Sequence, residues 1–590
     1  MVAIPLNCQD IVRHWQQLVG VVTHASVIVG LACLSGCANT PPPSDTVILS
    51  VLGTNDVHGE LDGHDKGLLA FSAYVDAVRQ LRSQDGGVVL LDAGDMWQGT
   101  LESNLNEGAA VMATYNALGY DAATVGNHEF DFGPVGPRAI PESPDDDPRG
   151  VIKARAREAQ FAFLAANILD EKTNAPVRWP NVTPTVLFTR AGVRIGVIGL
   201  STAETLTSTI GANTVGLEMA PLLDTVVTNA KRLRADGAQL VFVVAHAGGE
   251  CAEFDDPRDL SSCDESDEIF RLAQALPAGL VNHIVAGHHH EGIAHIVNDV
   301  VITSAYTRLR AFDRVDFEVD RVSGKVVNRV VYPPQSMCLE RSSSTRRCGP
   351  NGGIGDATYE GISLRLMPEV SEIVSAAMDV SLALKSEPLG VELLGPFTRA
   401  NEPFSLIGKM MTAAIREQSG ADIAIHNVAG GIRADFQSGP LTYGDVFRVF
   451  PFDNRLTLLD MTGASLRRLL RGQVHVYGRR VGVDGIRIKV ACENNTMSLT
   501  LVRPDGRVIA DEDSVTVASH DYLLLGGMNV FTPVMPEGGF MIDHSQPKIR
   551  DLWVKWFRQQ GGQLDPRDYE GEKFQQWILP PNYKTACPKS

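Results

Sequence analysis

Short apolar runs alternate with segments of helical period along the first three hundred residues. The runs at 46–52, 88–91, 122–125, 161–168, 194–200, 240–245 and 281–286 are brief and rich in Val, Ile, Leu and Ala. Each predicts a buried strand. Between them, 68–82, 108–118 and 221–236 carry apolar residues at helical spacing and predict helices. The alternation predicts an α/β fold. Residues 301–331 read as closing strands of this first domain, and 336–361, rich in Ser, Gly and Arg, as a surface loop. The segment 368–385 predicts a helix that connects to a second region starting near 389, where 405–417 is again helical. A chain of 590 residues exceeds one ordinary core, so two domains with connectors are expected.

The first polar residues after the strands carry the chemistry. The run at 46–52 leads to Asp56 and His58, that at 88–91 to Asp95, and that at 122–125 to the stretch Gly126-Asn127-His128-Glu129-Phe130-Asp131. The strand at 240–245 is followed by His246, and that at 281–286 by Gly287-His288-His289-His290. Residues two apart on an extended segment leave the same side, so Asp56 pairs with His58 and His288 with His290, while His289 faces elsewhere. Taken singly, each reads as readily as a turn, a cap or a surface residue. Together, Asp56, His58, Asp95, Asn127, His246, His288 and His290 gather on one edge. Open α/β sheets place their sites outside the carboxyl ends of the strands. Carboxylate, imidazole and amide oxygen are metal ligands. The set suits a metal-assisted phosphoester hydrolase in which His128 stands at the substrate and Asp131 holds that ring.

Apolar content of 44% and charged content of 21% are those of a globular protein. A net charge of −18 excludes bulk attraction to a nucleic acid polymer, so phosphate must be met by metal ions or local arginines. The N-terminus reads as a targeting segment. An apolar run from 18 to 34 ends in Leu34-Ser35-Gly36-Cys37, which resembles the lipobox of bacterial lipoproteins. On that resemblance 1–36 is the signal peptide, Cys37 is lipidated and 37–46 is a proline-containing tether, which makes the protein an exported, membrane-anchored lipoprotein facing the periplasm or the cell exterior. A plain secretory signal or an N-terminal membrane anchor is the alternative. Of nine cysteines, six lie beyond the leader. An exported context favours disulfides, and fifteen pairings are open. Proximity favours Cys251–Cys263 and Cys338–Cys348, which leaves Cys492–Cys587.

The order D-x-H, G-D, G-N-H-E-F-D, H and G-H-x-H resembles the calcineurin-like metallophosphoesterases. The form GNHEFD and the chain after it resemble the 5′-nucleotidase family, including the periplasmic UDP-sugar hydrolases, over residues 47 to 560. The resemblance implies a calcineurin-like αββα sandwich over 47–335, a loop and linker helix over 336–388, and an α/β substrate-binding domain over 389–590. One divalent metal ion would take Asp56, His58, Asp95 and His290, and a second Asp95, Asn127, His246 and His288. Two such ions can activate a water and stabilise both sides of an in-line displacement, and mixed N and O donors accommodate Zn, Mn, Fe or Co. His128, oriented by Asp131, would sit against the transferring phosphoryl group.

In the second domain, Asn427 to Arg433 resembles the family's N-x-G-G-x-R substrate loop. Gly431 lets the backbone approach a ligand and Arg433 could meet phosphate. Asn427 stands one residue further from the arginine than the pattern has it. Arg399 loosely matches another family arginine. Phe450-Pro451-Phe452-Asp453-Asn454 matches P-F-x-N, where Phe452 would stack on a base, and Tyr522 would be the second ring. Met528 takes the place of the family's ribose-binding Asp, and a thioether is a weak acceptor. The expected partner is therefore a small nucleotide or other phosphoester. 5′-Nucleotidase, UDP-sugar diphosphatase and 2′,3′-cyclic phosphodiesterase activities all remain open. The alternatives are a non-nucleotide ester or a non-catalytic ligand-binding lipoprotein.

Overall fold

Two sheets lie face to face in the first half of the chain. In one, strands Thr46–Thr54, Gly86–Asp92, Ala122–Thr124, Ala162–Leu164 and Val182–Thr183 run parallel in that order. Ala311–Asp320 joins the Thr46 strand antiparallel, and Val326–Val331 joins Ala311–Asp320. In the other, Val193–Ser201, Leu240–His246, His283–Ala286 and Val300–Ala305 run parallel, flanked by antiparallel edges Thr185–Arg190 and Gly292–Val297. The closing region thus divides: Val300–Ala305 completes the second sheet and Ala311–Asp320 the first. The run at 161–168 splits into Ala162–Leu164 and Ile168–Asp170, in different sheets.

This computed structural model describes residues 45–62, 67–337, 354, 357–399, 405–475, 481–493, 496–569, 576–580 and 583. The expected leader with Cys37, nearly all of the tether, and Cys338, Cys348 and Cys587 lie outside the described residues. Among those described, no helix is long and apolar enough to cross a membrane.

The strands are continuous apolar runs because both faces are covered. Between the sheets, Leu49, Val51, Val89, Leu91, Val197, Phe242, Val244 and Phe317 form one core. Phe242 stacks on Phe317 at 5.5 Å. Truncating such a ring to Ala costs about 3–5 kcal/mol. The outer faces carry helices. Leu222–Ala235 presents Val226, Ala230 and Leu233 at helical spacing to the second sheet. On the first sheet lie Leu68–Leu81 and Ala109–Leu118, themselves covered by the connecting helix Pro368–Lys385. That helix starts on a proline, whose missing N–H is harmless in the first turn. Its stripe Val370, Val374 and Ala377 joins the first half's core. The layers are thus helix, sheet, sheet, helix.

The second half is built on the sheet Leu456–Thr462, Ser514–His520, Ile423–Asn427 and Val481–Asp484. Helices Leu406–Ser419 and Ile549–Gln560 pack with it around Trp553, Phe450 and Ile415. Residues from Thr46 onward form one packed unit. Gln98 Nε2 and Asn104 Nδ2 both donate to the Pro451 carbonyl, at 2.9 and 3.1 Å, and Lys385 pairs with Glu102 at 3.2 Å. Cys251 and Cys263 stand at disulfide-bonding distance.

Candidate active site

At the carboxyl ends of these parallel strands the backbone turns sharply. Asp56, His58, Asp95, His288 and His290 all have positive φ, between 49° and 81°. Left-handed backbone is uncommon for residues with a Cβ and persists where the surroundings over-determine it. The two-residue spacing therefore works differently from the extended segments expected from the sequence. Asp56 and His58 come within 4.0 Å of each other, while His290 joins them and His288 turns to His246 instead. His289 is exposed and lies 3.9 Å from Asp267.

One carboxylate organises these turns. Glu129, fully buried, accepts the backbone N–H groups of Gly126, Asp95 and Met96 at 2.6, 2.8 and 2.8 Å. It ties the loop after the second strand to the loop after the third. Gly126 is required there, since a Cβ would lie 2.2 Å from Asp95 Oδ1. Sequence reasoning gave Glu129 no role. Its one signal was a place inside the GNHEFD stretch, and its partners are main-chain groups that no side-chain pattern records.

The donors then converge. Asp56, His58, Asp95 and His290 bring one ligand atom each within 4.8 Å of one another. His290 Nε2 is 3.2 Å from Asp56 Oδ1 and 3.2 Å from His58 Nε2. Beside them, His246 Nε2 is 3.2 Å from Asp95 Oδ2, 2.9 Å from Asn127 Oδ1 and 3.3 Å from His288 Nδ1. Asp95 belongs to both groups. Second bonds fix the orientations: His58 Nδ1 meets the Gln98 carbonyl and His246 Nδ1 the Ala93 carbonyl, each at 2.9 Å. Asn127 Nδ2 donates to the Ser208 carbonyl at 3.0 Å, which turns its oxygen inward. His128 Nδ1 lies 2.6 Å from Asp131 Oδ2, and Thr209 donates to Asp131 Oδ1 at 2.8 Å.

The electrostatics suit a cation. Asp56 Oδ1 is buried without a hydrogen-bond partner among the described residues. Such an atom fits a metal ligand. Burial works against the charge of Asp95, yet His246 and His128 hold its carboxyl well below the usual range. Asp56 is lowered likewise, burial being outweighed by His290. Burial and then Arg433 push His58 well down, and burial lowers His288 and His290, which favours the neutral imidazole that binds metals. His246 is the exception. Burial opposes its charge, but Asp95 raises it to about 10.

A cavity of about 1630 Å³ opens over this cluster and is lined from both halves. Asp95, Asn127, His128, Asp131 and His288 contribute from the first, and Arg399, Asn427, Gly431, Arg433, Phe452 and Tyr522 from the second. Arg433 Nη2 lies 2.7 Å from His58 Nε2, so this arginine reaches the cluster itself. Phe452 stands 5.8 Å from the His128 ring. Tyr522 stacks on His520 at 6.0 Å, and its hydroxyl meets the Thr207 carbonyl at 3.5 Å. A Cβ on Gly431 would lie 2.4 Å from the Asn427 carbonyl, so this turn requires glycine. Asn427 lines the cavity with its side chain already engaged, its Oδ1 accepting from His520 at 3.0 Å and its Nδ2 lying 3.7 Å from Met528 Sδ. Arg399 is exposed beside Asp435, 3.5 Å away.

Residues 49–292 match the calcineurin-like phosphoesterase family, and residues 393–535 match the C-terminal domain of 5′-nucleotidases. The chain belongs to the 5′-nucleotidase family of calcineurin-like metallophosphoesterases and is a phosphoric ester hydrolase. It is 27% identical to Protein UshA of Yersinia enterocolitica over 76% of this chain and 80% of that protein. It is 27% identical to a 5′-nucleotidase of Vibrio cholerae over 74% of this chain and 78% of that one. The fold matches a 5′-nucleotidase precursor from Thermus thermophilus with a TM-score of 0.67 at 20% identity, over 90% of this chain and all of that one. Calcineurin-like phosphoesterases use divalent metals, and the Asp56, His58, Asp95 and His290 group is of a kind that can hold one.

Proposed function

We propose that the protein is an exported dinuclear-metal phosphohydrolase that cleaves phosphoesters of nucleotides. The observation that supports it most is Asp95, whose carboxylate lies between the Asp56–His58–His290 group and the Asn127–His246–His288 group. The first group and Asp95 would hold one ion, and the second group and Asp95 the other. Bound there, two divalent ions supply a water activated for attack on phosphorus and positive charge for the developing negative charge. Asp95 has one oxygen toward the His128 N–H at 2.9 Å and the other toward His246, so one residue locates both the cluster and the backbone of His128. Asp131 accepts at His128 Nδ1 and leaves Nε2 for the phosphoryl oxygen. Arg433 adds charge beside His58. Phe452 and Tyr522 offer apolar faces to a base, and Arg399 and Gly431 line the path to it. Asn427 is engaged elsewhere, which with Met528 leaves the sugar without the family's usual contacts. That pairing keeps a non-nucleotide ester as the second reading.

The leader resembles a lipoprotein signal ending at Cys37, so we place the enzyme outside the cytoplasm on a lipid anchor. An oxidising compartment fits Cys251 and Cys263 at bonding distance.

Phosphate release from the soluble chain starting at Ala38 tests this. Substrates are 5′-mononucleotides, UDP-glucose, 2′,3′-cyclic nucleotides and an aryl phosphate, each with Mn, Zn or Co. Metal-dependent nucleotide hydrolysis, lost in Asp95→Ala and His128→Ala, is the expected result. Activity on the aryl phosphate alone would transfer the assignment to a non-nucleotide ester, and none with metal bound would make the protein a binding protein.

A further inference from the structure

A second cluster of metal-binding side chains lies away from the cavity. Cys251 and Cys263 pair across an isolated antiparallel bridge, and His295 stands on the edge strand Gly292–Val297. The two sulfurs and one ring nitrogen of His295 all lie within 4.8 Å of one another. None of the three residues lines the cavity over Asp95. The main chain holds them in place. Cys251 N–H donates to the Gly292 carbonyl at 3.0 Å, Ala252 N–H to the Ser262 carbonyl at 3.2 Å and Ile296 N–H to the Pro257 carbonyl at 2.7 Å. The hairpin that carries both sulfurs is thus fastened to the strand that carries the imidazole.

His295 is the informative residue. It shares a strand face with Ile293 and Val297, which belong to an apolar core. It is fully buried, and its Nε2 has no hydrogen-bond partner among the described residues. Its Nδ1 makes only a long contact, 3.3 Å, with the N–H of Ala294. A buried ring nitrogen left unpaired is costly, and an apolar side chain would fit this face without that cost. Burial lowers the pKa of His295 against the charge of Asp259, which favours the neutral ring that binds metals. Sulfur in a disulfide offers the imidazole only a weak acceptor. Two thiolates and an imidazole, in contrast, are a donor set that selects zinc over magnesium or calcium.

We propose that Cys251, Cys263 and His295 form a redox-gated zinc site, separate from the candidate active site: a disulfide when oxidised, and a zinc centre of two thiolates and an imidazole when reduced. The gating step uses a dithiol reductant. One of its thiolates attacks a sulfur of the Cys251–Cys263 bond, and its second thiolate resolves the mixed disulfide. Two electrons pass to the cysteines, and the reductant leaves as its own disulfide. Zinc then displaces the two thiol protons to solvent, and each sulfur settles about 2.3 Å from the ion, with water in the fourth position. In an oxidising compartment the disulfide prevails, and zinc enters only where a dithiol acts. The disulfide closes the hairpin on itself, whereas the metal also ties it to strand Gly292–Val297, which starts just after His290. The site stands whether or not the cavity hydrolyses a phosphoester.

The full chain is reduced with a dithiol, freed of the reagent under nitrogen, and titrated with cobalt(II) and then zinc. Reduced wild type should develop the near-ultraviolet thiolate-to-cobalt charge-transfer band, which the oxygen and nitrogen donors around Asp95 cannot produce. Zinc should erase the band, and the reduced chain should hold about one zinc ion more than the oxidised chain. Cys263→Ser should abolish the band; Cys263 is only partly buried, so its replacement carries little folding risk. His295→Gln should weaken zinc binding by at least about 10–100-fold, the loss that follows removal of a residue that merely orients a ligand. Cadmium NMR of reduced wild type checks the imidazole without a substitution, because the shift separates a sulfur–nitrogen donor set from a sulfur–oxygen one. No thiolate band after reduction would overturn the site, as would a band that survives Cys263→Ser and so comes from other cysteines. Unchanged zinc affinity in His295→Gln, or a cadmium shift without nitrogen, would overturn it too. So would thiols that a dithiol cannot free in the folded chain, counted by alkylation and mass spectrometry.

Discussion

The two walls of the cavity are built on different plans. On the first-half wall, Asp56, His58, Asp95 and His246 are almost wholly buried, and main-chain bonds tie together the left-handed turns that carry Asp56, His58 and Asp95. On the second-half wall, Arg433, Phe452 and Tyr522 are only half-buried, Arg399 is exposed, and single hydrogen bonds such as Met528 N–H to the Thr207 carbonyl join that wall to the first. Donor positions that must be held within fractions of an ångström are over-determined. Groups that meet the variable part of a substrate are held one at a time, so one can change alone. Met528 illustrates this: its sulfur engages Asn427 and leaves the cluster untouched.

Asp95→Ala breaks the comparison most severely, because it removes the residue common to both ligand groups and leaves His246 buried without its partner. Loss of one member of a buried pair costs about 3–5 kcal/mol of stability. Phosphate release should fall at least about a thousandfold, a barrier increase of about 4 kcal/mol. Metal content by emission spectrometry and a urea midpoint check both. Glu129→Gln comes next. The amide keeps the shape but turns an NH₂ toward main-chain donors, so Asp95 and Gly126 shift together. We expect kcat to fall about 10–100-fold, as for other residues that orient ligands, with KM for nucleotide changed far less. A KM effect equal to the kcat effect would mean that Glu129 serves the second wall as much as the first.

The opposite pattern should come from that second wall. Phe452→Ala and Tyr522→Ala each remove a stacking face worth about 1–3 kcal/mol. KM for nucleotides should rise about tenfold in each, kcat should hold, and the aryl phosphate should be hydrolysed as before. Equal losses on both substrates would deny base stacking and erase the contrast between the walls.

Much of the first wall was legible because strand ends are. A run such as Leu240 to Ala245 ends abruptly at His246, and five such endings, three in one sheet and two in the other, carry the seven residues. The backbone conformation was not legible. Alternation along an extended segment paired His288 with His290, whereas the chain at both residues is left-handed. Glu129 and the Asn55 side chain were missed for a related reason. Asn55 Nδ2 donates to Asp56 Oδ2 at 2.7 Å and its Oδ1 accepts the Ala305 N–H at 2.9 Å, a bridge between segments 250 residues apart. On the second wall, Arg433 and Phe452 could be placed by motif alone. Asn427 could not, since its engagement with His520 depends on the neighbouring strand.

The smallest effect concerns the cores beneath the two walls. Each half buries a neutral histidine, and burial pushes both His283 and His426 down to about 3. The unfolded chain takes up a proton at each below about pH 6.5, and the native chain does so only near pH 3. Stability present above about pH 6.5 is therefore lost as pH falls toward 3, by about 1.4 kcal/mol per unit for each histidine. The two sites differ in their partners. His283 Nε2 lies 3.0 Å from Thr303 Oγ1, while neither ring nitrogen of His426 has a partner among the described residues, and the rings of Phe450, His520 and Trp553 surround it. His426→Phe should fit that apolar setting and remove its share of the acid sensitivity, so the drop in stability between pH 7 and 5.5 should shrink by about 1.4 kcal/mol. Urea midpoints at the two pH values measure it. If the halves unfold separately, only the second-half transition should flatten. An unchanged pH dependence would mean that His426 carries its proton in the native core.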